Sequence, residues 1–303
     1  MSSPPTVSVI IPTRDRPELL RRAIRRVCEQ RFDGGIECLV VFDQSEPNLP
    51  DVEVPDGVQL RALSNRRKPG LAGARNSGAL EANGELLAFC DDDDEWLPDK
   101  LAHQVTAFEE PGVRVVATGI EVHYEERRFD RLSPRDTVTF DELLESRRTD
   151  VHPSTFLISK TAFLDEIGFV DEDLPGSYAE DYEWLLRAAR LGPIRTLREP
   201  LVRVHWHKSS YFSDRWQMIA SALSYLLEQY PEFKDHPRGF ARVAGQIAFA
   251  HGAAGNRSEA RAWARRTFSA NWRQPRSYLA LAVSAGLPAQ SLLRLAHMAG
   301  RGI

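Results

Sequence analysis

Apolar positions in the first part of the chain alternate between two spacings. Val7 to Ile11 is an unbroken, largely β-branched run, the mark of a strand covered on both faces. After a loop over Pro12–Pro17, Glu18 to Gln30 sets Leu19, Leu20, Ala23, Ile24 and Val27 at helical spacing. The alternation continues: Ile36–Phe42 predicts a second buried strand, Gln59–Leu63 a third, Ala72–Ala82 a helix, and Glu85–Cys90 a fourth strand. Strands separated by helices imply right-handed crossovers and a largely parallel sheet, and in such sheets ligands collect outside the carboxyl ends of the strands. That rim gathers Thr13, Asp43 and the run Asp91–Asp94.

The remainder changes character. Arg203–His207 predicts a strand with His205 and His207 on one face, and the C-terminal segment, rich in Ala, Leu and Arg, predicts three to five helices broken at Pro231, Pro237, Pro275 and Pro288. The 303 residues carry a formal charge of −4, unevenly divided: from Arg215 onward there are 12 Lys and Arg against 4 Asp and Glu, leaving 27 against 39 before it. A basic helical unit of this kind either packs its apolar stripe on its own chain or rests on an anionic membrane surface. Cys28, Cys38 and Cys90 have no paired metal spacing, which argues against a zinc site or disulfide framework and for a reducing compartment. No apolar stretch reaches the roughly 20 residues that cross a bilayer. A cytoplasmic protein is therefore expected, soluble or peripheral at the inner face of the membrane through its basic C-terminal helices, with a homodimer as a further candidate association and no nucleic-acid partner.

Four adjacent carboxylates, Asp91, Asp92, Asp93 and Asp94, at a strand end repel one another unless solvent or a cation offsets the charge. Oxygen-rich sites suit Mg2+ or Mn2+, which commonly sit between protein carboxylates and a diphosphate. A calcium loop starting at Asp91 needs glycine and glutamate where Trp96 and Ala102 stand.

Five ordered segments resemble the family-2 glycosyltransferases of the GT-A fold: Val7–Arg16, Val40–Ser45, Ala74–Gly78, Asp91–Leu101 and Ala179–Arg187. The resemblance covers roughly Val7 to His207 and leaves the C-terminal helices aside. It implies an α/β, nucleotide-diphospho-sugar transferase fold with a mostly parallel mixed sheet flanked by helices and an α-helical C-terminal extension. It divides the chain into a nucleotide-sugar half (1–110), an acceptor half with the catalytic base (111–212) and the helical extension (213–303). The activity implied is inverting transfer of a sugar from a UDP-, GDP- or dTDP-linked donor, UDP first, to a hydroxyl-bearing acceptor in saccharide or glycoconjugate synthesis.

The resemblance also carries roles. Asp43 occupies the second acidic place of the family's base-binding signature, whose first acid is here Phe42. Pro12, Thr13 and Arg14 would line the nucleobase pocket, and Lys68, Arg75 and Arg67 are candidates for base or phosphates. Asp91 and Asp92 would reach the donor, while Asp93, Asp91 and His205 would hold Mn2+ or Mg2+. Asp181 would be the general base, with Glu180 beside it; without the resemblance, both read equally as helix-start acids favoured by the helix dipole. Trp96, Tyr178, Glu180 and His152 are candidate acceptor contacts.

Two other classes compete. A phosphohydrolase of the haloacid dehalogenase type needs threonine where Glu95 stands. A non-catalytic nucleotide-sugar-binding scaffold would be expected to have lost the base, whereas Asp43, Asp93 and Asp181 are all present.

Overall fold

Val7–Thr13 forms β1 with every residue buried, because its two neighbours in the sheet are both parallel strands. It runs two residues past the apolar stretch because the ladder with β2 (Ile36–Phe42) continues as far as Thr13 opposite Phe42. Helix α1 (Pro17–Cys28) starts on a proline at its first turn and buries Leu20, Ala23, Ile24 and Val27, the i, i+3, i+4, i+7 stripe. β3 (Val58–Ser64) pairs in parallel with β2 on the far side from β1. Helix α2 (Leu71–Glu81) buries everything from Ala72 to Ala79, including Arg75, Asn76 and Ser77. β4 (Leu86–Phe89) then delivers the acidic run. This computed structural model describes residues 4–206, 215–287, 289 and 292, so His207 and Pro288 lie outside the described residues.

The second part of the sheet is built differently. β5 (Glu95–Trp96), helix α3 (Lys100–Phe108), β6 (Val115–Tyr124), β7 (Arg127–Arg131), β8 (Thr137–Val138), helix α4 (Phe140–Glu145), β9 (Leu157–Ser159), helix α5 (Glu180–Leu191) and β10 (Ile194–His205) follow in order. Among the described residues ten strands share one sheet, in the order β3-β2-β1-β4-β9-β6-β10-β5, with β7 on β6 and β8 on β10. The three-residue β9 is wedged antiparallel between β4 and β6. β10 lies parallel to β6 but antiparallel to β5 and β8. The sheet is thus mixed, parallel through β1–β4 and turned antiparallel by strands of two to five residues, too short to show a period.

The chain separates into two compact units. One comprises Met1–Phe140, Arg148–Glu172 and Glu180–Lys208, and the other Asp141–Arg147, Asp173–Ala179 and Ser209–Ile303. The second unit contains α6 (Trp216–Gln229), α7 (Pro237–Ala253), α8 (Arg257–Ala270) and α9 (Pro275–Ser284). Its prolines mark starts: Pro237 and Pro275 stand in the first turns of α7 and α9, and Pro231 opens a short 3₁₀ helix. α7 is largely buried, and a Cβ on its Gly239 would fall 1.9 Å from the Leu144 carbonyl oxygen. None of the described helices is long and apolar enough to cross a membrane.

Candidate active site

The carboxyl ends of β1, β2 and β4 form one rim. The Asp43 N–H donates to the Thr13 carbonyl (2.9 Å) and the Cys90 N–H to the Ile10 carbonyl (3.1 Å), which sets the start of the acidic run beside β1. Asp43 is buried, and its carboxylate accepts from Asn65 Nδ2 (2.7 Å), Gln44 Nε2 (2.9 Å) and the Gly70 N–H (3.0 Å). The loop before α2 can close this tightly only because residue 73 is glycine; a Cβ there would sit 1.9 Å from the Lys68 carbonyl oxygen. Glu172 fastens the other side of that loop, pairing with Arg67 and accepting from the Lys68 N–H (3.2 Å) and from Asn76 Nδ2 (2.7 Å). Pro12 is buried in β1, and Arg14 is exposed, its Nε 3.9 Å from an Asp15 carboxylate oxygen. Asn65, Gln44 and Glu172 are absent from the sequence-based set, since nothing in their spacing links them to Asp43.

The four aspartates are not equivalent. Asp92 accepts from Thr13 Oγ1 (2.7 Å) and Arg16 Nη1 (3.1 Å), and the same Arg16 nitrogen lies 3.1 Å from Asp93 Oδ2. Burial pushes the Asp92 carboxyl up to about 6 despite Thr13 and Arg16. Asp94 is almost wholly buried and is held by the Ser154 hydroxyl, which donates to Asp94 Oδ2 (2.6 Å) and accepts the Asp91 N–H (3.0 Å). Burial, reinforced by the charges of Asp91 and Asp93, pushes Asp94 well above the carboxylate range. His152 Nδ1 lies 3.4 Å from Asp94 Oδ2, and burial lowers its pKa against the raising pull of Asp91 and Asp181. One ligand atom each from Asp91, Asp94 and His152 lie within 4.8 Å of one another.

Arg75 joins this cluster to the start of α5. Its guanidinium donates from Nη2 to Asp91 Oδ1 and from Nη1 to Glu180 Oε1, both at 2.7 Å. Burial would weaken the charge of a side chain 2% exposed, but Asp91, Glu180 and Asp181 outweigh it and raise Arg75 above ordinary arginine. Burial also pushes Glu180 up to about 7, with Arg75 opposing and Asp181 adding. The helix carrying Glu180 and Asp181 is anchored from behind: Trp184 stacks on Phe156 with centroids 5.8 Å apart and donates to the Gly168 carbonyl (3.0 Å). Among the described residues five non-glycines have positive φ, and two of them, Asp15 and Gln44, adjoin Arg14 and Asp43, the kind of strain that persists where surrounding structure enforces it.

Two expected contacts fall elsewhere. Trp96 is 1% exposed, with the Lys100 ammonium 3.7 Å from its ring centroid and its indole N–H on the Ser154 carbonyl (2.9 Å). Its ring is closed to a sugar and instead supports Ser154 from within the core. His205 Nε2 sits 2.8 Å from Glu95 Oε1 and is not among the groups that converge with Asp91. Glu95 is also approached by Arg26 Nε (2.9 Å), Arg22 Nε (3.3 Å) and Arg203 Nη1 (3.5 Å), a cationic ring drawn from α1 and β10 that sequence spacing does not reveal. Tyr178 belongs to the other compact unit.

Against known proteins, several matches bear on this site. A diphosphoundecaprenol-dependent β-1,3-glucosyltransferase of Escherichia coli that uses UDP-Glc, by its name, is 27% identical over 142 residues, 46% of this chain and 55% of its own length. The chain spans 34, 55 and 65% of the length of three of the curated relatives it matches. Among solved structures, S. aureus TarS 1-349 in complex with UDP-GlcNAc superposes with a TM-score of 0.59 at 16% identity, covering 98% of this chain and 92% of that one. A mannosyltransferase of Pyrobaculum calidifontis in complex with GDP-Man and Mn2+ gives 0.54 at 21% identity, covering 98 and 80%. Both share the fold, the GT-A arrangement of a mixed sheet flanked by helices. The sequence model described as glycosyl transferase family 2 matches residues 8–166, more than half of the 303, and the chain belongs to that family.

Proposed function

We propose that the protein is a divalent-metal-dependent, inverting glycosyltransferase that moves a sugar from a nucleotide diphosphate donor, a UDP-sugar first among them, to the hydroxyl of a saccharide acceptor. The observation that carries this reading is the bridge from Asp91 through Arg75 to Glu180, which ties the acidic run to the carboxylate pair at the start of α5. The names of the E. coli relative and of the TarS complex support UDP as the carrier, and the former supports a lipid-linked acceptor.

The residues present fit a hard cation. Asp91 and Asp94 offer oxygen, His152 offers an imidazole nitrogen, and the three ligand atoms are already close together, a set suited to Mn2+ or Mg2+. Asp91 is common to this set and to the one the family resemblance implies; Asp93 would join it on leaving Arg16. A cation held by these residues would neutralise charge that develops on the departing nucleoside diphosphate.

The protein side of the reaction follows from the environments. Asp43 and its loop hold the base, at the rim where β2 ends. Asp181 takes the proton from the acceptor hydroxyl as its oxygen attacks the anomeric carbon opposite the leaving group. Asp181 and Asp91 act electrostatically on the same two side chains, Arg75 and His152, which supports grouping the base with the acidic run. Glu180, held by Arg75, positions its neighbour. Asp181→Asn is expected to lower transfer by about 10²–10⁴-fold while a nucleotide still raises the melting temperature in the presence of Mn2+. Wild-type turnover in that variant would remove Asp181 from the role.

A further inference from the structure

We propose that α8, α9 and the turn between them form a docking surface for an anionic phospholipid bilayer. The inference stands on residues of the helical unit alone and does not depend on the transfer reaction. Arg257, Arg261 and Arg265 recur at i, i+4 and i+8 and all are exposed, so they line one face of α8, where like charges at this spacing repel. From Arg257 to Leu287 there are six arginines and one acid, Glu259. Among the described residues Arg257, Arg261, Arg265, Arg266 and Arg273 form no ion pair, so the repulsion has no internal remedy. An anionic surface supplies one.

Charge alone would suit any polyanion; the apolar groups beside it narrow the choice. Phe268 continues the arginine stripe by one further turn, and its ring meets the Tyr278 ring edge-on at 5.0 Å, joining the cationic face of α8 to α9. Tyr278 and Leu281, three residues apart on α9, are 51 and 37% exposed, and Trp272 in the turn is 63% exposed. The Tyr278 hydroxyl donates to the Trp272 carbonyl (2.9 Å), which fixes the turn against the helix. Arg273 lies 5.1 Å from the Trp272 ring centroid. Exposed tryptophan, tyrosine and leucine bordered by unpaired arginines match the two layers of a membrane interface, phosphate outside and acyl chain beneath.

The test is co-sedimentation of the intact chain with vesicles of phosphatidylglycerol mixed into phosphatidylcholine, and with vesicles of phosphatidylcholine alone. The chain should partition onto the anionic vesicles, less so at high salt, and weakly onto the neutral ones. Arg261→Glu/Arg265→Glu should reduce that partition by about tenfold or more, since each arginine near an anionic surface contributes about fivefold. Trp272→Ser/Leu281→Ser should reduce it too, while leaving retention on immobilised inorganic polyphosphate unchanged. All four side chains are exposed, so a wild-type melting temperature in each double variant shows that the fold is intact. Three results would overturn the proposal: equal partition of wild type and Arg261→Glu/Arg265→Glu; vesicle binding untouched by Trp272→Ser/Leu281→Ser, which marks a soluble polyanion; or a dimer dissolved by Trp272→Ser/Leu281→Ser with no change on vesicles, which marks a second copy as the occupant.

Discussion

Buried carboxylates toward the two ends of the strands meet opposite fates. Glu37, near the amino end of β2, is 3% exposed, yet it accepts from Ser8 Oγ (2.6 Å), Asn83 N–H (2.8 Å), Asn83 Nδ2 (2.6 Å) and Arg61 Nη1 (2.6 Å). Burial alone would raise its pKa, but those donors outweigh it and hold Glu37 below the carboxylate range. Glu180 and Asp94, beyond the other end of the strands, are as deeply buried and go the opposite way, because burial there is not outweighed by Arg75 at Glu180 or by Ser154 at Asp94, and neighbouring carboxylates add to it. Glu95, one residue beyond Asp94, behaves like Glu37: burial is outweighed by His205 and the arginines around it. A fully satisfied carboxylate stabilises the fold, whereas a cluster short of positive charge is poised to take a cation.

The largest effect should come from removing the guanidinium that links Asp91 to Glu180. Arg75→Met leaves Asp91 and Glu180 without their buried partner and should cost about 3–5 kcal/mol in urea unfolding; a loss under about 1 kcal/mol would mean that the bridge does not hold the site together. Next comes Glu37→Gln, which leaves part of the Ser8, Asn83 and Arg61 donor set unsatisfied. It should cost about 1–3 kcal/mol and leave nucleotide binding unchanged; weakened nucleotide binding would show that the two ends are not independent.

The smallest effect is one of pH, and the two ends should give opposite signs. Glu37 has a folded pKa below its ordinary 4.5, so its stabilisation is present above that value and is lost as pH falls through the lowered one. Glu180, at about 7 against 4.5, and Asp92, at about 6 against 3.8, bind protons more tightly when folded, so their contribution is present at low pH and lost as pH rises toward those values. The metal-free protein should therefore lose melting temperature on both the acid and the neutral side. Glu37→Gln should flatten the acid limb and Glu180→Gln the neutral one. An unchanged limb in either variant would contradict the assignment of that limb.

What the sequence discloses divides along the same line. β1 to β4 were legible because continuous apolar runs and helical stripes are local signals, and the acidic run was legible because four carboxylates at a strand end are anomalous wherever they stand. The short strands β5, β8 and β9 were not, having too few residues for a period. Ser154, which orients Asp91 and Asp94 from sixty or more residues away, leaves no trace in spacing. Nor do Arg22, Arg26 and Arg203 around Glu95. The buried Arg75, Asn76 and Ser77 of α2 were the available hint, because three polar residues in a helix flanked by small apolar ones signal partners elsewhere.

The proposed function requires the carboxyl rim to hold a nucleoside diphosphate through a divalent cation. Calorimetric titration of UDP, GDP and dTDP, with and without Mn2+, on the wild-type chain and on Asp94→Asn tests it most directly. One nucleotide should bind in the presence of Mn2+, lose most of its affinity without it, and bind more weakly to Asp94→Asn in protein that melts normally. Equal affinity with and without the cation, or no binding of any nucleoside diphosphate to folded protein, would contradict it.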